Sequence, residues 1–342
     1  MCKLETFITQ KFRPDVLGGK LDKEHKVRFM LVKGDHKVKY PILMVNAICF
    51  GPKKDNVLIN LEHAINKSDN IMVLYYEDIH LRWTYINTNN DSYFLYKKND
   101  DEQYIIKPNF LYIRGCYVDA EDKYWRILGD FYNFVDLWEG NVLCPPKKQM
   151  SNESKPYQLN NSLLNASKNH PSISIGKSYI VKGMSRYNLL EQDKSYVVKS
   201  LSGVRSRVVD ETDFKNWNFR SIENIPVLFQ DKIDGNDLRA HVINKHVFAK
   251  LSRSKTNIDY RYDKNFFNMQ DIDNLDETLL DFCITVAKEE DNDLLGIDFV
   301  KTKSGYVVLE ANPSPGWSAY HPHNGIDNEP FVIELLKVLK SG

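Results

Sequence analysis

Residues 294–317 constrain this chain more than any other stretch. The apolar run Gly296-Ile297-Asp298-Phe299-Val300 is followed by the polar turn Lys301-Thr302-Lys303-Ser304-Gly305. A second apolar run then ends in Leu309-Glu310-Ala311-Asn312-Pro313-Ser314-Pro315-Gly316-Trp317. Two apolar runs around a short polar turn closed by glycine predict a β-hairpin. Glu310 and Asn312 are two apart, so on a strand they share a face, and Asp298 lies across the turn where it can face them. Acids seldom sit inside apolar strands unless something compensates their charge. Two carboxylates and an amide on one face make a hard-oxygen set suited to Mg²⁺, which takes few protein ligands and leaves places for water and phosphate. The plainer alternative is a solvated hairpin with scattered acids.

The rest of the composition narrows the class. The chain has 342 residues, enough for one large or two to three modest domains and a full core. Its 46 basic residues balance 46 acidic ones, so no global field argues for nucleic acid or an anionic membrane as partner. The first residues lack the apolar core of a signal peptide, and no apolar run reaches transmembrane length. The five cysteines are odd in number and widely spaced, without a Cys-x-x-Cys pair, which predicts reduced thiols in a cytoplasmic protein.

Taken in order, residues 1–25 are expected to form an irregular arm. Strands are expected over 27–32, 42–48 and 71–76, with a helix from a cap at Asp55 to about residue 67. Residues 84–87 and 92–97 flank an Asn-rich turn and predict a hairpin. Residues 104–116 are extended, with Pro108 marking an edge or bend, and 121–137 read as a helix. Strands mixed with helices make 1–150 an α/β unit. Arg114 ends an apolar strand and reads as an ordinary surface pair. Pro145-Pro146-Lys147-Lys148 marks the domain boundary. A helix is expected over 155–168, a strand over 195–199 ending in Lys199, a strand over 225–233, two strands over 237–243 and 246–251 joined at Asn244-Lys245, and helices over 275–290 and 328–340. A strand, a Lys and a small-residue loop (Lys199, then Ser202-Gly203-Val204-Arg205-Ser206) can cover phosphates with backbone N–H groups. A simple hairpin turn is the alternative. Alternation puts Asp237, Arg239 and His241 on one face, and the Arg239 fork suits a phosphate. His241 and His246 have no partner at metal spacing and read as ordinary strand positions.

The closing hairpin resembles the end of the ATP-grasp fold, in which two acids and an Asn hold Mg²⁺ on ATP. The resemblance covers about residues 150–342. The wording Asn312-Pro313-Ser314-Pro315-Gly316-Trp317 is most similar to the branch containing ribosomal-protein glutamate ligases and the graspetide (ω-ester/ω-amide peptide) macrocyclases. It implies an α+β ATP-grasp fold with an N-terminal α/β domain over 1–150 for acceptor recognition, a central subdomain over about 151–232 and a metal-binding, catalytic subdomain over about 233–342. It further implies ATP and two Mg²⁺ ions, with Asp298, Glu310 and Asn312 as metal ligands. Lys155-x-x-Gln158-Leu159 resembles the segment whose Lys approaches the phosphates. Lys199 resembles the second phosphate Lys, with Ser202, Gly203 and Arg205 in its covering loop. Gln230, Asp231, Lys232 and Ile233 take the place of the adenine hinge. Arg239 matches the Asp-x-Arg motif, while Arg253 and Arg261 match a second basic segment near the acyl site or are charges of an exposed strand pair.

The resemblance implies an ADP-forming ligase. A carboxylate would take the γ-phosphate to give an acyl phosphate, and a nucleophile would then displace phosphate. The expected substrate is a ribosomal precursor peptide with a leader, whose Asp or Glu side chains are joined to Ser/Thr hydroxyls or a Lys amine. A ligase adding an amino acid and an ATP-binding regulator are the alternatives, since fold does not fix function. Neither nucleic acid nor membrane is expected as a partner, and a homo-oligomer is left open.

Overall fold

A computed structural model describes residues 40–87, 91–100, 102–115, 125–149, 151, 154–182, 190–191, 194–201, 206–209, 225–252, 269–272, 274–322 and 329–341. The expected arm over 1–25 and strand over 27–32 lie outside the described residues.

The first sheet is built around β1 (Ile42–Gly51). Its second half, from Ala47 to Phe50, is fully buried, because the strand lies parallel between two others and is covered on both faces. Asp55 caps α1 (Asn56–Ala64) by accepting from Val57 N at 2.7 Å and Leu58 N at 3.2 Å. The chain returns in β2 (Ile71–Tyr75), then turns through the hairpin β3 (Trp83–Asn87) and β4 (Ser92–Lys97) into β5 (Gln103–Ile113). The helix α2 (Trp125–Asp136) follows, and β6 (Asn141–Leu143) pairs with β5. The sheet order is β2-β1-β5-β4-β3, with β6 alongside β5. Phe50, Trp83, Phe94 and Phe131 pack as an aromatic core under α2, with centroid separations of 5.0–6.3 Å.

Pro108 corrects an expectation. It lies inside β5, in register with Val45 of β1, not at a sheet edge. On the strand's other side β4 pairs only as far as Ile106 and β6 begins at Phe110. The proline therefore falls in the gap between two neighbours, where a missing N–H leaves no ladder bond unmade.

After α3 (Pro146–Gln149), the helix expected over 155–168 is two helices, α4 (Lys155–Asn160) and α5 (Ser162–Lys168). The break is Asn161, whose φ −127°, ψ −94° is not helical. Next comes β7 (Ile173–Ile175). The second sheet follows, from β8 (Ser178–Val181), β9 (Tyr196–Ser200), β10 (Ser206–Val209) and β11 (Val227–Asp231), in the order β10-β9-β11-β8.

The third sheet holds the hairpins. β12 (Asn236–Ile243) and β13 (His246–Ser252) are joined at Asn244 and Lys245, whose φ values of 45° and 69° fit a two-residue type I′ turn. β14 (Met269–Asp271) pairs with β13, and α6 (Glu277–Glu289) leads into β15 (Leu294–Thr302) and β16 (Gly305–Asn312). The order is β14-β13-β12-β15-β16-β7. Gly305 closes the β15–β16 turn at φ +133°, where a side chain would be strained. The hairpin is regular from Gly296↔Asn312 to Asp298↔Glu310, then shifts so that Phe299 faces Val308, leaving Leu309 as a bulge. Leu279, Phe282 and Val286 of α6 pack under this sheet against Ile297, Phe299 and Val308. The last helix, α7 (Pro330–Lys340), buries Phe331, Leu335 and Leu339 against Cys49, Leu61, Tyr112 and Trp317.

Candidate active site

Pairing across the third sheet puts five charged residues in one row. Asp271 of β14 faces Lys250, Lys250 faces Arg239, Arg239 faces Asp298, and Asp298 faces Glu310. Directly paired residues share a face, so the row forms a single line of side chains over four strand gaps. Arg239 Nη1 lies 2.8 Å from Asp298 Oδ2, with side chains only 5% and 16% exposed. Lys250 Nζ lies 2.8 Å from Asp271 Oδ1. Lys155, on the first turn of α4, reaches over from outside the sheet and places Nζ 3.3 Å from Glu310 Oε2. The backbone N–H of Lys155 donates to Leu201 O at 3.5 Å, which ties the helix start to the end of β9, beyond Lys199. Both hairpin carboxylates thus have a cation beside them, as burial of charge requires.

Several residues hold this row in shape. Gly296 lies opposite Asn312, and a Cβ there would fall inside the Arg239 guanidinium and 2.8 Å from Pro315 Cβ. The glycine is required because the guanidinium occupies the space a side chain would need. Gln158, one turn after Lys155 and fully buried, donates to Ala311 O and accepts from Ala311 N at 3.3 Å. It grips the strand midway between Glu310 and Asn312. Asn312 Oδ1 accepts from Ser314 N at 2.9 Å, which turns the chain away from the strand.

Arg114 corrects the surface-pair expectation. It is buried, with Nε 3.1 Å from Asp55 Oδ2 and Nη1 2.8 Å from Pro315 O and 3.2 Å from Ser314 Oγ. Asp55 caps α1 with one oxygen and holds Arg114 with the other, so the first sheet is latched to the loop that follows Asn312.

This arrangement has relatives. The RimK-like ATP-grasp domain family matches residues 188–336, which include the row from Arg239 to Glu310. A probable alpha-L-glutamate ligase of Haemophilus influenzae is 30% identical over 118 residues, covering 34% of this chain and 39% of that protein. The matched stretch thus spans about two-fifths of the relative's length. Among solved structures, a RiPP-associated ATP-grasp ligase of Chryseobacterium gregarium, in complex with ADP and a leader and core peptide, aligns with TM-score 0.69. It has 16% identity and covers 87% of this chain and 97% of its own. A macrocyclase from Microcystis aeruginosa bound with a precursor peptide aligns with TM-score 0.64 and 14% identity over 86% and 98% of the two chains. These likenesses show the ATP-grasp fold, in keeping with the expected α+β architecture.

Within the ATP-grasp domain, Lys199 lies in the middle of the second sheet, paired with Leu228 and Ser206, on the face it shares with Val197, Leu228 and Gln230. Gln230 is buried and donates from Nε2 to Ser178 Oγ at 3.3 Å. The amides of Asp231 and Lys232 donate to Lys177 O at 2.9 Å and Ser195 O at 3.0 Å, so both backbone donors of this expected hinge pair are engaged within the protein. Ile233 follows, half-buried, its Cδ1 close to Gly176. Ser202, Gly203, Arg205, Arg253 and Arg261 lie outside the described residues. Among the described residues no three His, Cys, Asp or Glu are grouped to hold a metal ion. The ATP-grasp hairpin has two carboxylates, and its third donor is the Asn312 amide oxygen, which keeps a lone pair beyond its bond to Ser314. This all-oxygen set fits Mg²⁺ shared with phosphates and water.

Sequence reasoning missed three parts of the site. Lys250 enters the row only through the β12–β13 register. Gln158 was visible within its motif, but its grip on Ala311 joins residues 153 apart in sequence. His241 is not an ordinary strand position. It accepts from Arg239 Nε at 3.3 Å and contacts His321 at 3.0 Å.

Proposed function

We propose that this chain is an ATP-dependent, ADP-forming carboxylate ligase that activates Asp or Glu side chains of a ribosomal precursor peptide and closes ω-ester or ω-amide crosslinks. The observation that carries the reading is the row joining Arg239, Asp298 and Glu310, with Lys155 brought to it from α4, on a RimK-like ATP-grasp domain. Two adjacent carboxylates there are flanked by a cation on either side, the pairing of hard oxygens and positive charge that phosphoryl transfer uses. A substrate carboxylate oxygen attacks the γ-phosphorus of ATP, and ADP leaves. A hydroxyl or amine then attacks the acyl carbon of the acyl phosphate, phosphate leaves, and the nucleophile gives up its proton.

In this reading Lys155, Lys199 and Arg239 orient the phosphates and oppose the negative charge that develops on them. Ser202, Gly203 and Arg205 cover them, keeping water from the acyl phosphate. Arg253 and Arg261 serve the acyl site, and residues 230–233 receive the adenine edge. Asp298, Glu310 and Asn312 hold Mg²⁺, two ions in this reading, which when bound offsets phosphate charge. Residues 1–150 recognise the acceptor, and 151–342 carry the chemistry. No helix among the described residues is long and apolar enough to cross a membrane.

The peptide substrate is supported by neighbours whose structures hold precursor, leader or core peptides. A second reading, addition of an amino acid to an acceptor, is supported by the relatives named probable alpha-L-glutamate ligase. Intact mass after incubation with ATP, Mg²⁺ and a candidate precursor peptide decides between them. Loss of one water per bond supports the crosslinking reading, and a gain equal to an amino-acid residue supports the second. ATP bound without ADP release would point to a regulator.

A further inference from the structure

We propose that His241, His321 and Glu329 form a buried relay that fixes the orientation of the Arg239 guanidinium, which makes the two histidines positioning residues. The proposal rests on the reading of Arg239 as a phosphate-orienting group. Arg239 has four rotatable side-chain bonds, so orienting its guanidinium takes contacts at more than one of its nitrogens. Nη1 is held at Asp298, and Nε–H donates to His241 Nε2 at 3.3 Å, so the fork is gripped at two of its corners.

The direction of every proton in the relay follows from that one bond. Arginine only donates, so His241 Nε2 is an acceptor and the neutral ring carries its proton on Nδ1. Nδ1 lies 3.0 Å from His321 Nε2, which must then accept. His321 is left with its proton on Nδ1, 2.7 Å from Glu329 Oε1. The relay ends on a carboxylate, and each of the four ring nitrogens has one partner of the right kind. Both imidazoles are buried, so an unmatched nitrogen would carry a desolvation cost.

The surroundings support a device over a chance contact. Glu329 stands at the N-cap of α7, yet its side chain makes no cap hydrogen bond and turns to His321. Phe331 of the same helix stacks on His321 at 4.5 Å and 14°. Tyr320 lies over Arg239, its ring centroid 5.7 Å from Cζ. The amides of Tyr320 and His321 both donate to Trp317 O at 2.9 Å, so the turn that presents both rings is a continuation of the loop after Asn312. Metal ligand, guanidinium and helix α7 are thus joined by one chain of contacts.

The test uses the full chain and two probes, Mg²⁺-ATP and adenosine, measured by calorimetry. Arg239→Ala and His241→Phe should each weaken Mg²⁺-ATP about tenfold, the scale of one hydrogen bond to a charged group, and leave adenosine binding unchanged. His241→Gln, which keeps an acceptor at the same reach, should restore most of the loss. A general packing defect would weaken both probes together and would overturn the proposal. So would wild-type Mg²⁺-ATP affinity in His241→Phe beside a loss in Arg239→Ala. Nitrogen NMR of the wild-type rings is the independent arm. It should find Nδ1 protonated and Nε2 bare on both histidines, and a proton on Nε2 of His241 would overturn the relay even if His241→Phe fails to fold. If Arg239→Ala binds Mg²⁺-ATP normally, the phosphate reading of Arg239 is what fails, and the ring spectra still decide the relay.

Discussion

Lys155 and Glu310 are 3.3 Å apart, and the pair joins the first turn of α4 to the strand β16. Arg239 and Asp298 form the matching pair one strand over. Each carboxylate of the proposed metal set therefore lies beside a cation of the proposed phosphate set.

Asp298→Asn and Glu310→Gln should each reduce ADP release by about a hundredfold or more, the scale lost when a group stabilising transition-state charge is removed. Both side chains are partly exposed, so the fold should persist, with unchanged circular dichroism. Near-normal ADP release by both variants would remove the metal assignment.

Gly296→Ala tests the close approach of guanidinium and backbone. A methyl group there overlaps Arg239 and crowds Pro315. Turnover should fall about tenfold or more as the fork is displaced. A crystal structure of the variant should show Arg239 moved from Asp298.

Gln158→Leu should cost stability before it costs chemistry. It leaves the N–H and C=O of Ala311 buried without the side chain that pairs them. A loss of about 1–3 kcal/mol in urea unfolding is expected.

Asp55→Ala removes a helix cap and leaves Arg114 without its carboxylate. Breaking one side of a buried pair costs about 3–5 kcal/mol. Asp55→Asn, which can still cap α1, should lose less. Hydrogen exchange should rise at the amides of Ser314 and Gly316, in the loop that Arg114 holds.

Stability should fall as pH drops below the ordinary histidine range. Burial keeps His241 well below its usual pKa, with the Arg239 charge adding to this. Burial also lowers His321, although Glu329 opposes the shift. Below about pH 6.5 the unfolded chain takes up protons that the folded chain refuses, so unfolding becomes easier with a slope of up to about 1.4 kcal/mol per pH unit for each group. His241→Phe should flatten the slope of unfolding free energy against pH, and an unchanged slope would assign the acid sensitivity elsewhere.

What the sequence revealed was local. The hairpin facing Asp298 to Glu310, the Asn244-Lys245 turn and the Asp55 cap all depend on residues within a few positions, where alternation and turn chemistry act directly. The break at Asn161 escaped because apolar spacing continues across it. Arg239 was marked as a site residue, but its ion pair with Asp298 depends on a strand pairing 59 positions away that no local pattern encodes. The same is true of Lys250, which is visible only once β13 is placed. His241 and His321 are 80 apart, and Arg114 meets Ser314 over 200, so each looked solitary. Pro108 misled for another reason, since a rule about missing donors holds only where a neighbour strand is present.

The bulge at Leu309 sets a limit on the hairpin's length. Glu310 and Val308 are two apart, yet one faces the charged row and the other the core, because the extra residue between them resets the alternation. Deleting Leu309 would leave Val308 opposite Phe299 and Glu310 opposite Asp298 in an unbroken ladder, each on its present face. An unbroken ladder that kept Leu309 would force a choice between a valine in the charged row and a carboxylate in the core. A deletion at Ala311 would instead carry Asn312 to the opposite face of the strand. Mutational scans should find deletion of Leu309 better tolerated than deletion of Ala311.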